Sequence, residues 1–415
     1  MQVVVVGAGV VGLASAWYLA QKGLQVTLVD RHAEVAQETS FANGGQLSYS
    51  YVAPLAEPGV IGKLPHWLLG ADSPLRFRPR LDPAQWRWCL AFLRACTQAQ
   101  VRRTIGEMLS LSYLSRDALD ELLAAHPLDF DLTRTGKLVV YRDSAALAAA
   151  TPMVDWQRSL GADQRLLDGP GCVALEPTLA AIGSQLAGGI HTPGEATGDC
   201  LRFCQGLQSL LAQKPDVRLA LGVEVQGLVR EGSRVVAVRT AEGDIAADAV
   251  VVAAGMFSVP LLKPLGLSLP LYGLRGYSLS VPLDPSLPAP RLSVTDAARK
   301  VVYAPLARRL RIAAMVDMGV SGADVDPARI TLLKQQVAET FPQLDLEHAQ
   351  AWAGLRPSTA HSKPIIGRAD GFDNLWLNVG QGALGFTLAL GSAKLLAAQM
   401  SGDALPIDPA PFQLR

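Results

Sequence analysis

The first thirty residues form one uninterrupted dinucleotide-binding unit, and no other feature of the chain constrains its fold as strongly. An apolar strand, Gln2 to Val6, leads into Gly7-Ala8-Gly9-Val10-Val11-Gly12; an amphipathic helix follows, and a second strand ends at Asp30. G-x-G-x-x-G alone is a weak signal. Here it follows a strand, opens a helix and is followed eighteen residues later by an acid, which is the context the fingerprint needs. Gly7 permits the tight turn, Gly9 lets the backbone approach a pyrophosphate, and Gly12 lets helix and strand pack closely. The helix N-terminus at Val10 and Val11 offers free N–H groups to phosphate. Asp30 is placed to accept hydrogen bonds from a ribose and would repel a 2′-phosphate, which favours FAD or NAD over NADP.

Residues 3 to 20 carry no charge, so a membrane span or a secretory leader competes for the same stretch. No basic segment precedes the run and its glycines fall at the fingerprint positions, which favours the nucleotide unit. With 415 residues, 49% of them hydrophobic, the chain can bury a large core. Its 37 basic and 37 acidic side chains give no electrostatic case for nucleic acid. Cys89, Cys96, Cys172, Cys200 and Cys204 form an odd set without C-x-x-C, which points to a reduced, intracellular chain. Cys200 and Cys204 stand one helical turn apart, but the histidines are scattered, so buried thiols are favoured and no metal is expected.

Glycine and proline are dispersed and no repeat is present, so interleaved domains are expected. Residues 34 to 54 read as an ordered loop. Helical periodicity runs from Pro83 to about Ala125, strands fall at Lys137–Tyr141 and Leu186–His191, and a helix over Gly198–Gln213 has Asp199 in N-cap position. Three strands across Val217–Gly255, with Val225 among them, end in an apolar run closing on Ala254-Gly255, which can meet a dinucleotide with no side chain in the way. Residues 259 to 350 supply strands at Tyr277–Val281, Val301–Ala304 and Leu310–Met315 and a helix at Pro327–Phe341, the make-up of a substrate domain.

The chain finishes with a strand from Leu375 that runs through Gly380-Gln381-Gly382-Ala383-Leu384-Gly385 into a helix opening with Phe386 and Thr387. An NAD enzyme needs two contiguous mononucleotide halves, whereas FAD spreads over turns collected from distant segments. A third glycine turn so far along the chain therefore argues for flavin, with the last helix aiming its N-terminus at the pyrimidine edge. No histidine lies in the N-terminal fingerprint for covalent attachment, so the FAD is expected to be non-covalent. An NAD-dependent oxidoreductase is the disfavoured competitor.

These residues carry a resemblance that extends over almost the whole chain. Val4 to Tyr18 with Asp30-Arg31, Glu38-Thr39-Ser40, Ala42-Asn43, Gly45-Gln46, Thr197 to Cys200, Gly276 to Leu279, Gly354-Leu355-Arg356-Pro357 and Asn374 to Gly402 are similar to the D-amino-acid dehydrogenase small subunit family, within the D-amino-acid oxidase and glycine oxidase class. The resemblance implies an α/β fold: a Rossmann-like FAD domain from residues 1–60, 196–258 and 350–415, interleaved with an α+β substrate domain from 61–195 and 259–349 whose mixed sheet is largely antiparallel. It implies oxidative deamination of D-amino acids to 2-oxo acids through an imino acid, by hydride transfer from Cα to flavin N5.

Within that expectation Arg356 is the candidate for the substrate carboxylate, because a guanidinium offers two parallel charged hydrogen bonds. Tyr277 and Tyr303 are candidates to add phenol contacts. Arg275, where family members often have lysine, would share a strand face with Tyr277. Ser40, Asn43, Gly44, Gly45, Gln46 and Leu47 would run beside the flavin, and Tyr49 and Tyr51 would form part of a lid. Gln381 stands where histidine is common in the family and Phe386 where tryptophan is common. A D-proline or cis-4-hydroxy-D-proline dehydrogenase is therefore a live alternative, and an FAD oxidase of N-methyl or 2-hydroxy acids is the competitor from another class.

The electron acceptor is expected to be a quinone or another non-oxygen carrier. Residues 60–92 set Ile61, Leu64, Trp67, Leu68, Leu69, Trp86, Trp88, Leu90 and Phe92 among Lys63 and several arginines, a mixture suited to a membrane interface, although such a stretch is more often core packing or an oligomer contact. The expected location is the cytoplasm, with peripheral contact on the inner face of the cell membrane. The sequence leaves the oligomeric state open.

Overall fold

Four consecutive valines follow Gln2 because the strand they form is covered on both faces. The structure, a computed structural model, describes residues 1–62 and 73–414. Gln2–Val6 pairs in parallel with Gln25–Asp30 on one side and Ala249–Val252 on the other. Val217–Leu221 and Leu375–Val379 extend the parallel sheet, and Ile365–Arg368 closes one edge antiparallel. The helix Val10–Gln21, expected to be amphipathic, is buried on almost every side, because Cys200–Ala212 and Gly385–Ser401 pack against it. Gly12 sits where that helix touches the opening turn, and a Cβ there would collide with the Gly7 carbonyl oxygen. Gly382–Ser401 is long and apolar enough to cross a membrane, yet 67% of it is buried within the fold.

A second sheet runs, in order, through Gln350–Thr359, Leu271–Pro282, Arg309–Met318, Val301–Leu306, Ser293–Asp296, Lys137–Tyr141, Gly188–Thr192 and Arg165–Asp168, with Leu75–Phe77 beside Arg309–Met318. Most of its pairs are antiparallel. One face packs on the helix Pro327–Thr340, where Tyr303, Leu333 and Phe341 share a core. The other faces the parallel sheet across the loop 40–51. Arg311 ties the two halves: its Nη1 donates to the Asn43 carbonyl (2.9 Å), its Nε to Ser280 Oγ (3.0 Å), and its guanidinium faces Asp199, the residue capping Cys200–Ala212.

The strand Gln350–Thr359, expected on the FAD side of a division at residue 350, pairs along its length with Leu271–Pro282. The helix Gln98–Ala125, expected on the substrate side, packs on Gly385–Ser401 and contributes Ile105, Met108 and Leu119 to the core around Val10–Gln21. The helical run beginning at Pro83 is two helices, Pro83–Ala95 and Gln98–Ala125; Thr97 breaks it by accepting from the Gln100 N–H as N-cap of the second. Between Val217 and Gly255 there are five strands rather than three. Val225–Glu231, Arg234–Thr240 and Gly243–Ala246 form a small antiparallel sheet of their own, since tight turns at Gly232 and Gly243 return the chain on itself.

Candidate active site

A cavity of about 1100 Å³ lies between the two sheets. One end is built at the carboxyl ends of the parallel strands. Gly7 adopts φ +108°, and a Cβ there would stand 2.7 Å from the Ala253 carbonyl oxygen, so only glycine lets the turn close on the neighbouring strand. The helix starts at Val10 with Gly9 at its N-cap, and Ser40 Oγ accepts from the Val10 N–H at 3.1 Å. Asp30 Oδ2 accepts from the Ala8 N–H (2.7 Å) and Oδ1 from the His32 N–H (2.9 Å), which holds the carboxylate at the cavity edge with lone pairs to spare. Arg31 pairs with Glu38 and lays its guanidinium 3.5 Å from the Phe257 ring centroid.

The middle of the wall comes from segments far apart in sequence. Asn43, Gly44, Gly45 and Gln46 meet Val225, Ala254 and Gly255, and Gln381 to Thr387 close the same wall. Thr387 Oγ1 donates to the Gln46 carbonyl (3.3 Å) and accepts from the Ser48 N–H (3.1 Å), fastening the loop to the start of the last helix. Gln381 Nε2 donates to Asn378 Oδ1 at 2.7 Å, so its amide is held in place at the wall.

At the far end stands Arg356. Its guanidinium lies across Gly276, where any Cβ would collide with it, and it has no carboxylate or hydrogen-bond partner among the described residues. Burial without a counter-charge pushes it down to about 10, so at neutral pH it is still a cation, with all of its donors available. The fully buried arginines of this sheet and of the helix packed on it are, by contrast, all paired or bonded to backbone. Arg311 faces Asp199, Arg275 donates to the Asp324 carbonyl (3.0 Å), and Arg329 reaches Asp317 (2.9 Å). An unpaired, partly desolvated cation in a cavity wall is a ready site for an anion.

Several expected contacts are corrected by this geometry. Tyr277 lines the cavity, but its hydroxyl donates to Asp317 Oδ2 at 2.7 Å; that bond and burial raise it to about 12, so its proton is committed to Asp317. Asp317 also gathers Arg76, Arg275 and Arg329, which takes Arg275 into a buried ion cluster rather than the cavity wall. The register shifts between the Arg275↔Asp317 and Tyr277↔Ala314 pairs, and Met315 beside them takes φ +64°; this bulge turns both side chains onto the acid. Tyr303 lies on the opposite face of the sheet, edge-on to Phe341 with ring centroids 4.8 Å apart, because side chains alternate along a strand and its neighbour Val302 takes the cavity side. Gly12 and Leu47 lie just behind the wall as packing positions.

Tyr51 does reach the cavity, with its ring centroid 4.0 Å from Lys137 Nζ. Sequence reasoning passed over Lys137, Trp352 and Met315, which also line it. Lys137 heads an apolar strand, where a lysine reads as a solvated strand end, and nothing local signals that it is buried.

The glycine turn, the helix start and the Asp30 carboxylate suit a dinucleotide's pyrophosphate and ribose, and the same cavity runs on to a cation with room for an anionic substrate. These residues fit FAD. The family model described as "FAD dependent oxidoreductase" (DAO) matches residues 2–399. The chain is 49% identical to D-amino acid dehydrogenase 2 of Ralstonia nicotianae over all of both chains, and 48% identical to D-amino acid dehydrogenase 2 of Pseudomonas aeruginosa over 98% of this chain and 96% of that one. Among solved structures, glycine oxidase from Geobacillus kaustophilus shares the fold with a TM-score of 0.76 at 23% identity, covering 100% of this chain and 98% of the other. L-proline dehydrogenase from P. horikoshii does so with a TM-score of 0.76 at 15% identity, over 100% and 99%. Cradle, cavity and full-length similarity agree, and the chain belongs to the DAO family of FAD-dependent oxidoreductases.

Proposed function

We propose that this chain oxidises D-amino acids at Cα with FAD, giving imino acids that water converts to 2-oxo acids and ammonia. The observation that carries the reading is Arg356, an unpaired, half-buried guanidinium in the wall of a cavity that is also shaped for a dinucleotide. The relatives named D-amino acid dehydrogenase at 48% and 49% identity support the substrate class. FAD, when bound, supplies the two-electron acceptor for the hydride leaving Cα. Arg356 fixes the substrate carboxylate in two parallel charged bonds and so sets which face of Cα is presented. The N–H groups at the start of Val10–Gln21 that Ser40 leaves free would hold the phosphates, and Asp30 would hold the ribose hydroxyls. The walls, apolar at Met315, Trp352 and Phe386, exclude water from the reacting carbon.

The test is the visible spectrum of the purified holoenzyme, followed anaerobically while D-alanine, D-proline, cis-4-hydroxy-D-proline and their L-enantiomers are added in turn. Bleaching of the flavin band by D-forms alone is the expected result, and the fastest of them decides between primary and secondary amines. A flavin band that none of them bleaches overturns the proposed substrate.

We further propose that the electrons leave to a quinone at a bilayer surface. The helix Pro83–Ala95 exposes Trp86 (51%), Leu90 (50%) and Leu93 (42%) at positions i, i+4 and i+7, one apolar face beside the cavity mouth, which Trp86 and Leu93 themselves line. Arg78, Arg80, Arg87 and Arg94 are exposed around it, and Asp82 is the only acid between 73 and 97, which suits an anionic lipid surface. The apolar and basic residues noted at 63–72, including Lys63, Leu64, Trp67, Leu68 and Leu69, lie outside the described residues. The variant Leu90→Asp, at a position outside the cavity lining, is expected to lower the fraction that sediments with phosphatidylglycerol vesicles at least fivefold while leaving reduction by D-amino acid unchanged. Equal sedimentation of the two proteins removes this face from the proposal.

A further inference from the structure

Lys137 heads the strand Lys137–Tyr141 but is only 2% exposed, and its side chain enters the gap between the two sheets. Its Nζ donates to Gln46 Oε1 at 3.0 Å and to Ser48 Oγ at 3.2 Å, and stands 4.0 Å from the Tyr51 ring centroid. One ammonium therefore meets the loop at 46, 48 and 51. Gln46 Nε2 also donates to Ser293, on the strand paired with Lys137. Glu195, itself buried, accepts from the Ser50 N–H at 2.7 Å and is the counter-charge to Lys137. Thr387 holds the backbone of Gln46 and Ser48 from the opposite side.

Lys137 is poorly placed to bind substrate. Its strand is four steps in the sheet from Leu271–Pro282, over which the Arg356 guanidinium lies, about 19 Å at about 4.8 Å per step, further than the length of a small amino acid. What it can move is the loop, whose neighbouring residues Asn43, Gly44 and Gly45 form the part of the cavity wall with least side chain. Burying an ammonium for packing alone is costly. Burial does push Lys137 down to about 8, with Glu195 pulling it back up, and the ammonium spends two of its donors and its ring contact on one segment.

We propose that Lys137 is a positioning residue: its ammonium latches Gln46, Ser48 and Tyr51 to the substrate-side sheet, and so holds Asn43–Gly45 in the conformation that retains FAD. The proposal rests on the flavin reading of the cavity. In the holoenzyme, Lys137→Met is expected to weaken FAD binding at least tenfold, read from the return of flavin fluorescence on dilution. Amide exchange over 43–51 is expected to quicken at least tenfold while 138–141 and 294–296 exchange as before. Lys137→Arg, which keeps the charge and the donors, should restore both within about threefold.

FAD affinity within twofold together with unchanged exchange over 43–51 in Lys137→Met overturns the proposal, as does exchange quickened equally through both sheets. Should Lys137→Met fail to fold, Glu195→Gln removes the counter-charge at the same volume and is expected to move both readouts in the same direction; unchanged values there overturn it too. If the purified chain carried no flavin, the cofactor reading would fail by itself, and exchange over 43–51 would still decide whether the latch exists.

Discussion

Arg356→Ala is expected to keep its FAD and lose about 30- to 4000-fold in kcat/KM for a D-amino acid, most of it in KM. Truncating one partner of a buried charge pair costs about 2–5 kcal/mol, and each tenfold corresponds to about 1.4 kcal/mol. The guanidinium is half-buried and has no partner among the described residues to lose, so stability should not fall. That separates a binding role from a structural one. Arg356→Lys keeps charge but not the paired geometry, and should recover only part of the loss. Gly276→Ala reaches the same group from its neighbour. The added methyl meets the far end of a flexible side chain, so the fold tolerates it while the guanidinium is displaced, with an expected loss of about 10- to 100-fold. Steady-state kinetics with flavin content from absorbance check all three. A substrate dependence of Arg356→Ala within threefold of the parent would take Arg356 out of the site.

Gly12→Val is expected to yield protein without FAD and destabilised by about 3 kcal/mol or more. The new side chain collides with the Gly7 carbonyl oxygen, a backbone atom in a turn already pressed against Ala253, and no flexible group can yield there. Gly9→Ala is the control: its Cβ would meet only Ser40 Oγ at 3.3 Å, so the fold should survive and FAD affinity alone should drop. Urea unfolding and bound flavin, measured on both variants, distinguish the glycine that packs the helix from the one that admits the phosphates. A Gly12→Val protein that keeps its flavin and the parent's urea midpoint would contradict this division of roles.

What the chain determined by itself lies where a few neighbouring residues suffice. The turn at Gly7 to Gly12 and the carboxylate at Asp30 are set within thirty residues, because glycine, strand and helix signals there act over one or two turns of chain. Asp199 caps its helix where a short acceptor precedes an apolar run, and the strand Lys137–Tyr141 has the expected ends. Arg356 is singled out by the family resemblance and by the need of a carboxylate for a cation; that it lines the cavity without a partner among the described residues is not written in the sequence.

Only the tertiary structure decided the rest, and the reason is direction. Tyr277 and Tyr303 sit on similar strands, but one side chain turns to Asp317 and the other to Phe341, since a bulge at Met315 and the two-residue alternation choose the face. Arg275 and Arg356 are cations from adjacent strands; the first is buried and finds Asp317 forty-two residues away, and the second is half-buried in the cavity wall with no partner among the described residues. Lys137 reads as a strand end and becomes a buried ammonium because residues 46, 48 and 195, distant along the chain, close around it. Local preferences act over a few residues and can name a turn, a cap or a strand. Whether a charge meets a partner depends on contacts across the sheet, whose register is set by packing of the whole chain.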